Sequence, residues 1–288
     1  MTEPFRPLRR IEVAYRKAMS DAIKRILGLQ KLEGLTEGEW FSRIIMQARS
    51  SELAEAGGKI AAQMIRQIDV QNAKDWRQAS RKSQRSQFLY RLLREEMAGP
   101  VGQRFQQLVR ENAGLISSIP FTAAQHLTTE IAEAQQAGSR PEAVAKMMQQ
   151  RFPELVDNRI KLIARTETSK ASTGLTRARS ESLGLDWFEW KSAEDFRVRP
   201  AHKNLNGVLV SWNDLPSPEE LMKIRSTLGH YAPGDAPNCR CYPAPLLSID
   251  DAYSTGSERR RVYTNGRIQR MTRAQFARLS HLNTRFAA

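Results

Sequence analysis

Apolar positions recur every three or four residues through the first half of the chain, and this spacing predicts helix after helix. Ile11, Tyr15, Ala18, Ala22, Ile26 and Leu29 form one stripe of a first helix. Thr36 with Glu39 makes a capping box that opens a second, which Gly57-Gly58 is expected to close. Ile60, Met64 and Ile68 begin a third. It runs into KDWRQASRKSQRSQ, a polar and basic stretch where the helix either lies solvated or breaks. QFLYRLLREEM is helical again until Gly99-Pro100 interrupts it. Thr122 with Gln125 is expected to cap a short helix ending near Gly138, and Ser139 with Glu142 the one after it.

From about residue 155 the texture changes. DNRIKLIARTETSKASTGLTRARSESLG reads as a long helix with small residues along it, ending at Gly184. Strand patterns follow: DWFEWKSA alternates aromatic and polar residues, GVLVSW is β-branched, and CRCYPAP comes after a Pro-Gly turn region. Ser217-Pro218-Glu219-Glu220 reads as a helix start with Gly229 as its stop. Thr272 and Gln275 cap a short basic helix near the end. The expected fold class is therefore α+β, mostly α. It divides into a helical region at 1–111, a small α+β domain with a few short strands at 112–247, and an arginine-rich C-terminal arm at 248–288.

Composition narrows the class of partner. The chain has 288 residues, 40% of them apolar and 26% charged, as a globular protein does. No apolar run is long enough to span a membrane, and the first residues show no export signal, so a membrane partner is not expected. Two cysteines two residues apart fit a reducing compartment. The formal charge of +14 favours a polyanionic partner, most simply nucleic acid. Much of that charge lies after residue 257, where eight arginines face one acid: Arg259, Arg260, Arg261, Arg267, Arg270, Arg273, Arg278 and Arg285. Arginine suits bidentate phosphate contacts, and no base-stacking motif accompanies these residues, so sequence-independent binding to duplex DNA is expected. Lys74, Arg77, Arg81, Lys82, Arg85, Arg91 and Arg94 add to the same field.

The order of motifs from about 112 to 245 resembles the MuF-like family of minor head, or head-morphogenesis, proteins of tailed double-stranded DNA phages. The resemblance rests on GLISSIP at 114–120, ARTETSKA at 164–171, and a Trp-containing strand at 187–192. Asp195, Arg197, Arg199, His202, Leu205 and Gly207 follow, and NCRCYPAP closes the pattern. It implies a virion component, made in the host cytoplasm, that works at the portal vertex or inner capsid with the portal and other head proteins as partners. It does not imply an enzyme.

The chemistry-bearing residues cluster around His202, His230, Cys239 and Cys241, which would supply a Cys2His2 zinc set. In an extended strand, however, residues two apart hold their side chains about 6.5–7 Å apart, too far for two thiolates on one ion unless the chain kinks at Arg240. A cysteine nucleophile with a histidine base and an acid such as Asp195 or Asp235 is a second reading. The preferred reading is a structural network of Arg165, Glu167, Asp195, Arg197, Arg199, His202, Cys239 and Cys241. In that network Asp195 pairs with Arg197, Arg199 or Arg165, no cofactor is required, and zinc remains the alternative. The functional expectation is a non-enzymatic minor head protein. Its rivals are a cysteine- or metal-dependent hydrolase acting in head maturation, and a free non-specific nucleic-acid-binding protein.

Overall fold

The computed structural model describes residues 3–28, 35–81, 99–254, 256–280 and 282. Helices α1 (Arg9–Leu27), α2 (Glu37–Ala48), α3 (Ser51–Arg81), α4 (Pro100–Gln136) and α5 (Pro141–Ser182) come first. Then follow β1 (Trp187–Lys191), α6 (Pro200–Leu205), β2 (Leu209–Ser211), a single 3-10 turn (Glu220–Met222) and β3 (Tyr242–Pro245). The chain continues with α7 (Ile249–Tyr253), β4 (Arg259–Thr264), β5 (Arg267–Thr272) and α8 (Arg273–Ser280). The mostly helical α+β class is as expected from the sequence.

Several boundaries differ from the pattern-based expectation, each for a local reason. The Thr36–Glu39 capping box opens α2 as expected, but that helix ends at Ala48. Gly57 and Gly58 lie inside α3, where the Gly57 backbone comes close to Ala113 and Ile116, so the glycine serves helix packing rather than helix termination. Thr122 does not start a helix. The apolar stripe of Ile116, Ile119, Ala123, Leu127 and Ile131 is buried without a break, and α4 continues through Pro120 and Thr122 to its stop near Gly138. Likewise the helix expected to open at Ser139–Glu142 and the long helix expected after residue 155 are one helix, α5, which starts at Pro141 and continues through Pro153. The Ser217–Glu220 start yields only the 3-10 turn, because Lys223 adopts a left-handed conformation that ends it. Leu29 and the segment QFLYRLLREEM fall outside the described residues.

The chain forms two compact units. One comprises 9–66 and 107–164, and among its described residues the regular elements are helices joined by short turns. Its core includes Tyr15, Met19, Ile23, Trp40, Ile44, Ile116, Leu127 and Phe152, with the Trp40 ring edge-on to Phe152 at 4.8 Å. The other comprises 1–8, 67–106 and 165–288 and contains the sheet. Helices α3, α4 and α5 each run from one unit into the other, and the sequence division at 111/112 falls inside α4.

The five strands are ordered β3-β1-β2-β4-β5. All pairings are antiparallel except β2 with β4. The two-residue alternation sends Trp187, Leu209, Tyr242 and Val262 to one face, where they meet Ile249 and Phe276. Phe188, Trp190, Val210 and Tyr263 go to the other, against Leu205, Tyr231, Cys239 and Cys241. Both faces are thus covered. This corrects the expectation of an appended basic arm at 248–288. That segment supplies two of the five strands, and Val262, Tyr263 and Phe276 are buried, which a solvated arm could not achieve.

Candidate functional site

Small hydroxyl residues on α5 create the floor of the site. Thr166, Ser169, Thr173, Thr176 and Ser180 recur at helical spacing and are all buried. Thr173 donates to the Pro233 carbonyl (2.6 Å), and Thr166 accepts from the Asn238 backbone N–H (3.1 Å). The loop 232–239 therefore lies directly on the helix. Gly234 makes this possible: it sits at φ +97°, and a Cβ there would stand 2.8 Å from Thr173 Oγ1 and 3.1 Å from the Cys241 carbonyl. Further along the same helix Thr176 accepts from Asn72 (2.7 Å). Arg179, 1% exposed, donates to Asn72 Oδ1 and Asp69 Oδ1, both at 2.6 Å.

The helix α6 and the loop before β3 bring the chemistry together. His202, on α6, places Nδ1 3.4 Å from Cys239 Sγ and 3.5 Å from Cys241 Sγ. All three side chains are buried, and their donor atoms lie within 4.8 Å of one another. The expected strand spacing of the thiols is wrong, because neither cysteine is in a strand. Asn238 is left-handed (φ 59°), Cys239 N–H donates to Ala236 O at 3.0 Å, and β3 begins only at Tyr242. The chain curls, and the Cys241 N–H reaches back to Cys239 Sγ at 3.4 Å. On the other side of the imidazole, Nε2 meets Tyr231 Oη (2.9 Å), which donates to both oxygens of Glu219 at 2.8 Å.

Electrostatics follow from these contacts. The Cys239 thiol is drawn down to about 4, chiefly by its hydrogen bond with Cys241 and then by His202, against the opposing effect of burial. Cys241 is pushed upward by the same pairing and by burial. Burial, followed by Glu219, raises the Tyr231 phenol. Asp235 accepts from the Ala232 N–H (3.2 Å), and burial pushes its carboxyl up to about 6.

The remaining sequence candidates occupy varied positions. Asp195 is gripped in bidentate fashion by Arg240, which holds its carboxyl well below the usual carboxylate range. Arg197 lies at 3.5 Å from Asp195 and its backbone N–H donates to the same carboxylate, so that expected pair is present. Arg199 instead donates to Pro237 O at 2.9 Å. Glu167 is buried and lies 3.7 Å from Lys170. Arg165 lies on the same helix. His230 does not join the cluster: it is exposed, and its Nδ1 contacts Leu215 O at 2.6 Å. Arg240, Tyr231 and Glu219 were missed by sequence reasoning. The tyrosine and glutamate are 29 and 17 residues from His202 and carry no local signature.

A cavity of about 90 Å³ adjoins the cluster, lined by Val198, Arg199, His202, Asn238, Cys239 and Cys241. A larger cleft of about 650 Å³ opens beside the β4–β5 hairpin, where Lys223, His230, Arg261 and Arg267 gather with Asn204 and a single acid, Glu220. Arg261 stands opposite Arg270 in the ladder, so like charges face each other. Arg259, Arg267, Arg270 and Arg278 are exposed. Arg273 is exposed too, but pairs with Asp250. Arg261 is half-buried and bonds to Asn204. Arg260 points inward to Glu189 (3.0 Å) and the Ala252 carbonyl, so it belongs to the core rather than to a DNA-facing set. Arg285 lies outside the described residues, as do Lys82, Arg85, Arg91 and Arg94. Among the described residues no helix is long and apolar enough to cross a membrane.

Comparison with known proteins gives one family and one relative. The family model described as Phage Mu protein F like protein matches residues 125–243, the family that the sequence pattern resembles. The match spans α5, β1, β2, the start of β3 and the His–Cys cluster; GLISSIP lies just outside it. An uncharacterised protein of Haemophilus influenzae is 25% identical over 151 residues, which is 52% of this chain and 31% of the relative. The chain thus matches about a third of that relative's length. No solved structure matches.

Proposed function

We propose, from the premise that residues 125–243 are a Phage Mu protein F like region, that this chain is a minor head protein acting in head morphogenesis of a tailed double-stranded DNA phage. The family match is the observation that carries the reading. It extends over the α5 floor, the Asp195 loop and the His–Cys cluster. The role is assembly rather than catalysis. The protein is made in the host cytoplasm, docks with the portal vertex or inner capsid wall, and is carried in the virion. Mass spectrometry of purified DNA-filled heads tests this. The chain is expected there in amounts far below the major capsid protein, and its absence would refute the virion assignment.

Contact with packaged DNA is the finer part of the proposal. The +14 charge and the cleft beside β4–β5 support it, because an arginine pair opposed in a ladder gains from an anion placed between them. Such binding is through phosphates and independent of sequence. Titration of duplex DNA at several salt concentrations should give a steep log–log slope. The double variant Arg267→Gln, Arg270→Gln should flatten that slope by about 0.9 for each phosphate that the protein no longer neutralises. An unchanged slope would move the DNA interface to another surface, first to the basic end of α3 at Lys74, Arg77 and Arg81.

A further inference from the structure

We propose that His202, Cys239 and Cys241 form a zinc site, with Nδ1 and two thiolate sulfurs as ligands and a water in the fourth position. The distances are those of a ligand set. A zinc ion with Zn–N of about 2.05 Å and Zn–S of about 2.3 Å, in tetrahedral geometry, separates its nitrogen and sulfur ligands by about 3.6 Å. The two observed separations are 3.4 and 3.5 Å. The sulfurs of such a site would be about 3.8 Å apart, and all three donor atoms here lie within 4.8 Å of one another.

The hydrogen bonds around the imidazole orient it for a metal. Tyr231 gives its proton to Glu219, so its oxygen accepts from His202 Nε2–H. That leaves Nδ1 with a lone pair aimed at both sulfurs. One lone pair serves one S–H donor, so two thiols converging on it are a poor hydrogen-bonding arrangement but a good ligand set. A carboxylate-backed partner on the far ring nitrogen is the usual support of a metal-ligating histidine. The Cys241 N–H to Cys239 Sγ contact favours a thiolate at Cys239. Two thiolates, one neutral imidazole and one divalent ion sum to zero charge, which suits a site whose three ligands are all buried. The adjoining cavity of about 90 Å³ has room for a water in the remaining position. His230 has no part in the site. Zinc so held joins α6 to the loop before β3.

The test uses the full chain and does not depend on the head-assembly reading. Purified protein should retain about one zinc per chain by elemental analysis. His202→Asn, Cys239→Ser and Cys241→Ser should each drop it to background, while His230→Ala keeps it. Tyr231→Phe should weaken zinc affinity roughly 10–100-fold. Folding of variants does not limit the result, because Co2+ added to metal-free wild type should give thiolate-to-metal charge-transfer and tetrahedral d–d bands that zinc abolishes. A wild-type protein without zinc and without those bands would overturn the site, as would full stoichiometry in the two cysteine variants. A zinc-free protein found in heads would remove only the site; a zinc protein absent from heads would remove only the function.

Discussion

Removing residues 258–288 tests most directly that the arginine-rich segment is part of the fold. The cut takes away β4, β5 and α8, and with them Val262, Tyr263 and Phe276, which are 0%, 2% and 0% exposed. Burying such side chains stabilises a fold by about 1.5–3 kcal/mol each, so the three together amount to about 5–9 kcal/mol. Phe276 also sits edge-on to Trp187 at 5.0 Å, a geometry adding roughly 0.5–1.5 kcal/mol. Glu189 would lose Arg260, its partner at 3.0 Å, and keep Lys191 at 3.2 Å. The parallel edge of β2 would open to solvent as well. A domain's whole stability is about 5–15 kcal/mol, so a 1–257 fragment should lose cooperative folding of the sheet-containing unit. Near-ultraviolet circular dichroism and thermal melting, which report on Trp187, Trp190 and Trp212, provide the assay. Substituting only the exposed Arg259, Arg267 and Arg270 by Gln should change stability by about 0.5 kcal/mol or less apiece. If the fragment melts cooperatively near the full-length temperature with the same aromatic signal, the integration of this segment into the core is wrong.

Three further outcomes are expected. Gly234→Ala should cost about 1–3 kcal/mol from backbone conformation alone, plus the clash with Thr173 and Cys241. Gly184→Ala, also at positive φ but with open space around its Cβ, should cost less; equal losses in urea melts would refute the close approach. Arg179→Met should destabilise by about 3–5 kcal/mol by stranding Asp69 and Asn72, and a loss under 1 kcal/mol in the same melts would show that the network contributes little. For Asp235 the folded state favours the proton, since burial raises its carboxyl from 3.8 to about 6. Its effect on stability should therefore be most favourable below about pH 4, fall as pH rises to about 6, and stay level above, with a total of at most about 3 kcal/mol. Asp235→Asn should remove that pH dependence, and parallel stability–pH curves for the two proteins would refute it.

Periodicity alone identified most of the regular elements. The 3.6-residue stripe of α1, the Thr36–Glu39 box, the stop at Gly184 and the two-residue alternation of β1 are local patterns, and local hydrogen bonding and burial decide them. Helix lengths were less legible. Capping signals such as Thr122 with Gln125 are short, and a continuous buried face outweighs them. Segment 248–288 was misread because charge dominated its composition, although Val262, Tyr263 and Phe276 were visible within it. No sequence rule says whether apolar residues such as Val262, Tyr263 and Phe276, set among eight arginines, find a core; the parallel pairing with β2 does.

At the site, residue types were legible and their grouping was not. His202, Cys239 and Cys241 could be named as candidates because few residue types bind metals or act as nucleophiles. Their convergence depends on the left-handed turn at Asn238 and on the close approach at Gly234, and that approach exists only because α5 lies beneath the loop. The exclusion of His230, the recruitment of Tyr231 and Glu219, and the choice of Arg240 as partner of Asp195 are likewise contacts between distant segments. Sequence determines which groups a chain carries and which face of a helix or strand each occupies, since those depend on neighbours a few residues away. Which groups meet is decided by how the elements pack, because only packing places side chains tens of residues apart within hydrogen-bonding distance.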